Sequence, residues 1–586
     1  MATITYSDAY YVGETRGWGQ KEPHGYGEMR WNSGASYRGE WRNGKRHGQG
    51  RYSFPSGDVY EGQYYEGKMH GRGKYTWADG GYYEGDLVSG LFQGYGVRVY
   101  SKGDRYEGQW RNDKKNGRGK YYWVSGNIYE GDFVDDKFCG YGVKYYKSGT
   151  RVEGQWRDDK LNGKGKYIWA ENNYYDGNFV NDNFEGYGLR RYADGSTYAG
   201  YWKNDKKHGR GKTTWPSGAY HEGEYANDQY NGYGVDVTKD GAKAEGNFVN
   251  GKLQGKGRYS WASGAYYEGN FVDGNFNGYG VKHHDNGSIY EGQWKDDKKH
   301  GKGKYSWEAD SYYEGDFEDD CFNGYGKRVY KDGCVAEGYW VNDKMNGKGK
   351  YSWPSGAYYE GNFANGNFNG YGIKHHDNGS IYEGQWVEDK KHGKGKYSWS
   401  DKNYYEGDFV NDNFCGYGVR CYDDGGRYEG QWDNDKMNGK GKYTWDSGTY
   451  YEGDFANGQI NGYGKKVFAS GSYCIGSWTN GVMNGRGKYA WAEDNYYEGD
   501  FVNGQFCGNG LRRYGNGDTY EGQYESDKPF GRGKYTYASS GNVYEGIWDT
   551  VNSATDIIKY ENGVETARGS IIDGNFVQEG DFVVRD

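Results

Sequence analysis

The stretch Tyr106–Ile128, YEGQWRNDKKNGRGKYYWVSGNI, decides the fold. Two segments inside it, YEGQW and GRGKYYW, alternate ring or glycine with polar residue, the period-two pattern of a strand with two unlike faces. Tyr106, Gly108 and Trp110 therefore share a face with Gly117, Gly119, Tyr121 and Trp123, while Glu107, Gln109, Arg118 and Lys120 share the other. Glycines opposite rings let aromatic side chains lie flat over backbone, a physical reason for both types to recur at fixed offsets. Asn-Asp after the first segment and Ser-Gly after the second mark turns. Glycine at this spacing excludes a helix.

The same frame continues in steps of 23 residues from Tyr37 through Tyr60, Tyr83 and Tyr129 to Tyr520. Tyr11 opens an imperfect first unit, Tyr544 follows a one-residue insertion, and a degenerate unit begins near Ala567. The expected organisation is an N-terminal cap and imperfect repeat over residues 1–36, an uninterrupted array over 37–543, and degenerate repeats with a cap over 544–586. Units of this kind bury their faces only against their neighbours. Composition agrees: 107 Gly, 69 Tyr and 5 Pro in 586 residues leave rings to supply most of the buried area. A net charge of -9, from 74 Lys+Arg against 83 Asp+Glu, gives no general affinity for nucleic acid.

YEGxW followed by a polar segment and GxGxYxW resembles the MORN repeat (membrane occupation and recognition nexus), from about Tyr11 to about Tyr544. The resemblance implies an all-β chain, an elongated, twisted, single-layer ribbon of about 24 tandem antiparallel β-hairpins, with a contour of about 230 Å at strand spacing. It also implies a non-enzymatic scaffold or spacer for protein partners in a cytoskeletal, ciliary or flagellar assembly. Homodimerisation through C-terminal units from about Tyr451 onward is a further implication, with Ile557 and Ile558 as candidates; the competing reading is that residues 551–586 cap the open edge. The alternative function is a peripheral membrane protein that binds phosphoinositides. Some family members carry a lysine methyltransferase or a phosphatidylinositol phosphate kinase domain, but the 42 residues after Tyr544 are too few for either, so no catalytic site is expected.

Alternate units differ, which makes the working module two units, or 46 residues. On the face opposite the rings, one unit type presents cationic pairs: Arg118/Lys120, Lys164/Lys166, Lys256/Arg258, Lys302/Lys304, Lys348/Lys350, Lys394/Lys396 and Lys440/Lys442. The other type is expected to present apolar sets there: Phe92/Tyr95/Val97, Phe138/Tyr141/Val143, Phe276/Tyr279/Val281, Phe368/Tyr371/Ile373 and Phe414/Tyr417/Val419. The cations could meet anionic headgroups or simply pair across strands with the Glu of YEG. The interleaved apolar bands suit a protein partner. KHHDNGSIYEGQW occurs at Lys282 and again at Lys374, an echo that tandem duplication explains.

Other chemistries fail on spacing. His283 and His284, repeated as His375 and His376, point to opposite faces if they lie on a strand, so neither pair easily shares a metal ion. Seven dispersed cysteines without a CxxC pair, three of them (Cys139, Cys415, Cys507) in one register, indicate neither a disulfide framework nor a zinc site. Gly211-Lys212-Thr213 lacks the glycine a Walker A loop needs at position 206, which is Lys206. No cofactor is expected. The amino terminus shows no signal-peptide pattern, and no apolar run reaches membrane-span length, so a cytoplasmic, cytoskeleton-associated location is expected.

Overall fold

The computed structural model describes residues 1–19, 21–549 and 553–572, and all its regular elements are β-strands. One module shows how the sequence builds them. Arg105–Arg111 and Lys114–Tyr122 form one hairpin, Ile128–Val134 and Lys137–Tyr145 the next. Asn112 and Asp113 both take positive φ, 50° and 66°, the two-residue turn whose twist matches that of the flanking strands. Asp113 also accepts the Phe92 backbone N–H at 2.7 Å, tying this turn to the preceding unit. Between hairpins, Trp123 N–H donates to Asn127 O at 3.0 Å around Gly126, whose φ of 91° suits glycine.

The chain divides into two compact units, Met1–Gly287 with Trp294–Asp297, and Ser288–Gln293 with Lys298–Asp586. In the first, the strands from Ala2–Thr5 to Asn275–His283 form an open sheet, each antiparallel to the next. In the second, the strands from Lys298–Glu308 to Val564–Ile572 do the same.

A seam of directly opposed glycines crosses these strands: Gly96, Gly108, Gly119, Gly131 and Gly142 are successive partners. A Cβ on Gly108 would stand 2.4 Å from Gly119 Cα, and one on Gly119 would stand 2.2 Å from the Tyr106 hydroxyl oxygen. Into the space so kept, each Tyr of YEG lays its ring. Tyr106 is 0% exposed and donates its hydroxyl hydrogen to Gln109 O at 2.9 Å. Trp110 packs edge-on against it at 5.1 Å and donates from Nε1 to Gly96 O at 3.1 Å. One sheet thus carries its core on a single face, where rings over bare backbone exclude water and satisfy their polar atoms locally.

The structure corrects the facing of one residue in each apolar set. The turn takes only two residues, so the second strand begins at Lys137, ahead of the glycine-rich segment, and Phe138 falls on the alternation of Gly142. Phe138 therefore joins the ring face, stacked on Tyr129 at 3.8 Å. Phe92, Phe276, Phe368 and Phe414 likewise stack on Tyr83, Tyr267, Tyr359 and Tyr405 at 3.8 to 3.9 Å. The 46-residue period is thus a packing period: the position of Phe138 is Lys115 in one neighbouring unit and Leu161 in the other, with Lys115 Nζ 5.9 Å from the Tyr106 ring centre and Leu161 buried.

Candidate interaction surface

The face opposite the rings carries a row that follows the glycine seam. Glu107, Lys120, Glu130, Val143, Glu153 and Lys166 are successive cross-strand partners. In this stretch the first strand of each unit contributes the acid, and the second contributes Lys and Val by turns; elsewhere residues such as Arg38, Ala199 and Ile475 replace the acid, and residues such as Lys327 and Lys465 replace the aliphatic one. Nine of the fourteen cations named from the sequence lie within 4 Å of an acid on the following strand. In the first unit of the chain these are Lys120 with Glu130 at 3.3 Å, Lys166 with Asp176 at 3.5 Å and Arg258 with Glu268 at 3.9 Å. In the second they are Lys302 with Asp316 at 2.8 Å, Lys304 with Glu314 at 3.9 Å, Lys350 with Glu360 at 3.9 Å and Lys394 with Asp408 at 2.7 Å. Lys440 with Asp454 at 2.6 Å and Lys442 with Glu452 at 3.9 Å complete the set. Hydrogen bonding to Glu130 raises the Lys120 pKa.

Of the other five, Lys396 stands opposite Glu406 with its ammonium 4.3 Å from the Tyr404 ring, and Arg118 stands opposite Asp132. Lys164, Lys256 and Lys348 are exposed and face Asn178, Asn270 and Asn362. The exposed pairs each contribute little to stability, so their arrangement serves register and surface chemistry more than folding.

Where Val replaces Lys in the row, a tyrosine supplies the donor. Tyr417 gives its hydroxyl hydrogen to Glu429 at 2.8 Å, and this bond, with Arg427, lowers the Glu429 pKa. Tyr371 bonds Glu383 in the same way. The rings themselves remain open: Tyr95, Tyr141, Tyr279, Tyr371 and Tyr417 are 48 to 53% exposed, beside half-buried Val97, Val143, Val281, Ile373 and Val419.

Sequence reasoning missed a second set of cations on the ring face. Arg98 lies 4.2 Å from the Trp77 ring centre and 4.6 Å from that of Tyr100; Arg512 lies 3.8 Å from Trp491 and 4.7 Å from Tyr514. Lys144, Arg190, Lys282, Arg328, Lys374, Arg420 and Lys466 occupy the same register. Burial lowers the pKa values of Lys144, Arg190 and Arg512, while the ring faces offer cation–π attraction. The available signal was a Lys or Arg two residues beyond the second glycine of GYG, or of GNG before Arg512, broken at Met29 and at Asp236. His283 and His375 stack on Tyr266 and Tyr358 at 4.3 and 4.2 Å, filling aromatic positions.

The MORN repeat family matches in 23 consecutive stretches, from residues 17–36 to 520–541, which span most of the array. The chain belongs to the MORN-repeat family. MORN repeats are a non-catalytic module of repeat scaffolds. No curated protein matches the chain. Among solved structures, it is similar to the SAS-4 (dCPAP) TCP domain of Drosophila melanogaster in complex with a proline-rich motif of Ana2 (dSTIL): 15% identity, 28% of this chain, 82% of that one, TM-score 0.18. It is also similar to the wild-type TCP10 domain of Danio rerio CPAP, at 11% identity, 38% and 94% coverage and TM-score 0.16. Selenomethionine-substituted virginiamycin B lyase from Staphylococcus aureus matches at 12% identity, 53% and 90% coverage and TM-score 0.09. Likeness at this level carries no functional argument.

Among the described residues no helix is long and apolar enough to cross a membrane. Of the residues named for self-association, Ile558 is half-buried, and the side chain of Ile557 lies outside the described residues, as do residues 573–586.

Proposed function

We propose that this MORN-repeat chain is a non-enzymatic scaffold that docks protein partners along its polar face. The observation that carries the reading is the recurrence, at 46-residue steps, of a half-exposed tyrosine whose neighbour in the row is aliphatic except at Lys327 and Lys465, between ion-paired bands. Equivalent weak contacts on one body gain strength through avidity, which suits docking and spacing rather than turnover. A cytoskeletal or flagellar setting, and self-association through the C-terminal repeats, follow from family resemblance. The phosphoinositide reading is less well supported, because most of the candidate cations already face carboxylates of their own sheet. Detergent extraction of cells expressing the tagged chain tests the scaffold: retention in the insoluble fraction is expected, and complete release would overturn it.

A further inference from the structure

One unit reverses the charge of the YEG motif. At Tyr37-Arg38-Gly39 an arginine replaces the glutamate, and its partner on the next strand is Arg51, so two guanidiniums stand directly opposite. Like charges in such a pair are destabilising. The acids on either side are engaged elsewhere: Glu28, the partner of Arg38 on the preceding strand, pairs with Arg30, and Glu61 pairs with Arg51 at 2.6 Å. None of the ion pairs found among the described residues includes Arg38.

Arg38 and Arg51 border a recess of about 820 Å³ on the polar face. Five cations line it, with Arg72, Lys74 and Arg105 completing the set, and two acids, Glu61 and Glu84. Arg72 pairs with Asp86 at 3.7 Å, Lys74 with Glu84 at 3.5 Å and Arg105 with Glu107, which leaves Arg38 as the lining cation without an ion pair. The lining runs across eight strands, from Glu22–Trp31 to Arg105–Arg111, a path of about 34 Å at strand spacing and so of about ten extended residues. Exposed Tyr95 flanks it.

We propose that this recess binds an extended acidic segment of a partner protein, with a carboxylate seated between Arg38 and Arg51. Guanidinium pairs favour carboxylates through bidentate hydrogen bonds, and Arg38, whose cross-strand neighbour Glu28 is turned to Arg30, supplies a cation without an ion pair of its own. A peptide fits better than a membrane surface, because Glu61 and Glu84 alternate with the cations inside the recess and would repel a uniformly anionic plane. The proposal rests on the scaffold reading and names a partner chemistry for it.

The decisive variant is Arg38→Glu, which restores the YEG motif and exchanges the like-charge pair with Arg51 for an opposite-charge one while placing an acid opposite Glu28. Arg38→Gln, which creates no like-charge pair, is the folding control and is expected to weaken binding in the same direction. Fluorescence anisotropy of the full chain with a labelled decapeptide of alternating Glu and Ser is expected to show binding that weakens with salt and drops at least tenfold in R38E. Lys402→Glu, in an exposed loop outside the recess and outside the cation bands, is expected to leave it unchanged. Equal binding by wild type and R38E, or no binding by wild type, would overturn the proposal. So would R38E-sensitive flotation with phosphatidylserine vesicles in the absence of peptide binding, which would assign the recess to membrane. Loss of peptide binding with retention in the detergent-insoluble fraction sinks the recess alone, whereas peptide binding by a chain fully released by detergent sinks the scaffold reading alone.

Discussion

Two stretches 92 residues apart use the same backbone with different chemistry. Around Tyr129 the ring face holds Tyr121, Tyr129 and Lys144; at the equivalent places stand Thr213, His221 and Asp236. His221 is fully buried and stacks on Tyr230 at 3.5 Å and 3°, as Tyr129 stacks on Phe138, and its Nδ1 lies 3.5 Å from Asp236 Oδ1. The seam continues beneath it, with Gly223 opposite Gly234. A flat ring of either kind therefore serves, but the two glycines of each pair are required for different reasons. A Cβ on Gly131 or Gly223 would meet the Cα of the opposing glycine at 2.5 Å in both stretches. A Cβ on Gly142 would meet the Tyr129 hydroxyl oxygen at 2.3 Å, whereas on Gly234 the nearest atoms are at 3.1 Å, because imidazole is shorter than phenol.

The largest expected effect breaks the seam where backbone requires glycine. Gly131→Ala and Gly223→Ala should each cost at least about 3 kcal/mol, since strands must separate to admit the methyl group. In a repeat array that loss should show as hydrogen exchange confined to adjacent units. Next comes the pair that sharpens the comparison. Gly142→Ala should cost about 2 to 3 kcal/mol and Gly234→Ala less than about 1 kcal/mol, read as local opening free energies by hydrogen exchange. Equal losses would mean that the ring hydroxyl does not set the requirement.

High pH should dissolve the tyrosine-built stretches. Burial raises the pKa of Tyr129 well above the usual tyrosine value and pushes Tyr11 and Tyr230 to about 12. A raised folded-state value means that folding favours the protonated phenol, so its contribution is complete below about pH 10 and is lost as pH rises through the folded value. Far-UV circular dichroism should hold to about pH 10 and then fall; an unchanged spectrum at pH 12.5 would contradict the burial of the rings. The smallest effect is expected at the turns. Asp136→Gly loses the 3.0 Å bond to Lys115 N–H but relieves a φ of 74°, so the change in unfolding free energy should stay within about 1 kcal/mol.

The seam, the turns and the 23-residue step were legible because Tyr-x-Gly fixes both residue type and spacing. The side taken by Phe138 was not, because it depends on turn length: Lys114 and Lys137 read as loop but begin strands, and one shift in where alternation starts reverses a side chain's face. Arg98 and its equivalents were missed because a cation in a polar sequence reads as solvated, and only the neighbouring Trp77 and Tyr100 make its place among rings evident. Pairing on the polar face was foreseeable from shared alternation with Glu, whereas the exchange of Lys for a tyrosine hydroxyl at Glu429 depends on geometry across strands.

The unbroken glycine seam constrains inheritance as well as folding. Loss or gain of a partial unit would place a side chain against the seam and unravel the strands beyond it. Recombination that removes one whole unit keeps the glycines aligned but brings together two units of the same packing type, with Phe92 and Phe138 kinds adjacent and the Lys115 kind missing between them. Exchange of a 46-residue pair keeps the glycines aligned and the two packing types in alternation, so viable length variants of this chain should differ by whole modules, and the near-identical segments at Lys282 and Lys374, two modules apart, are what such an exchange leaves behind.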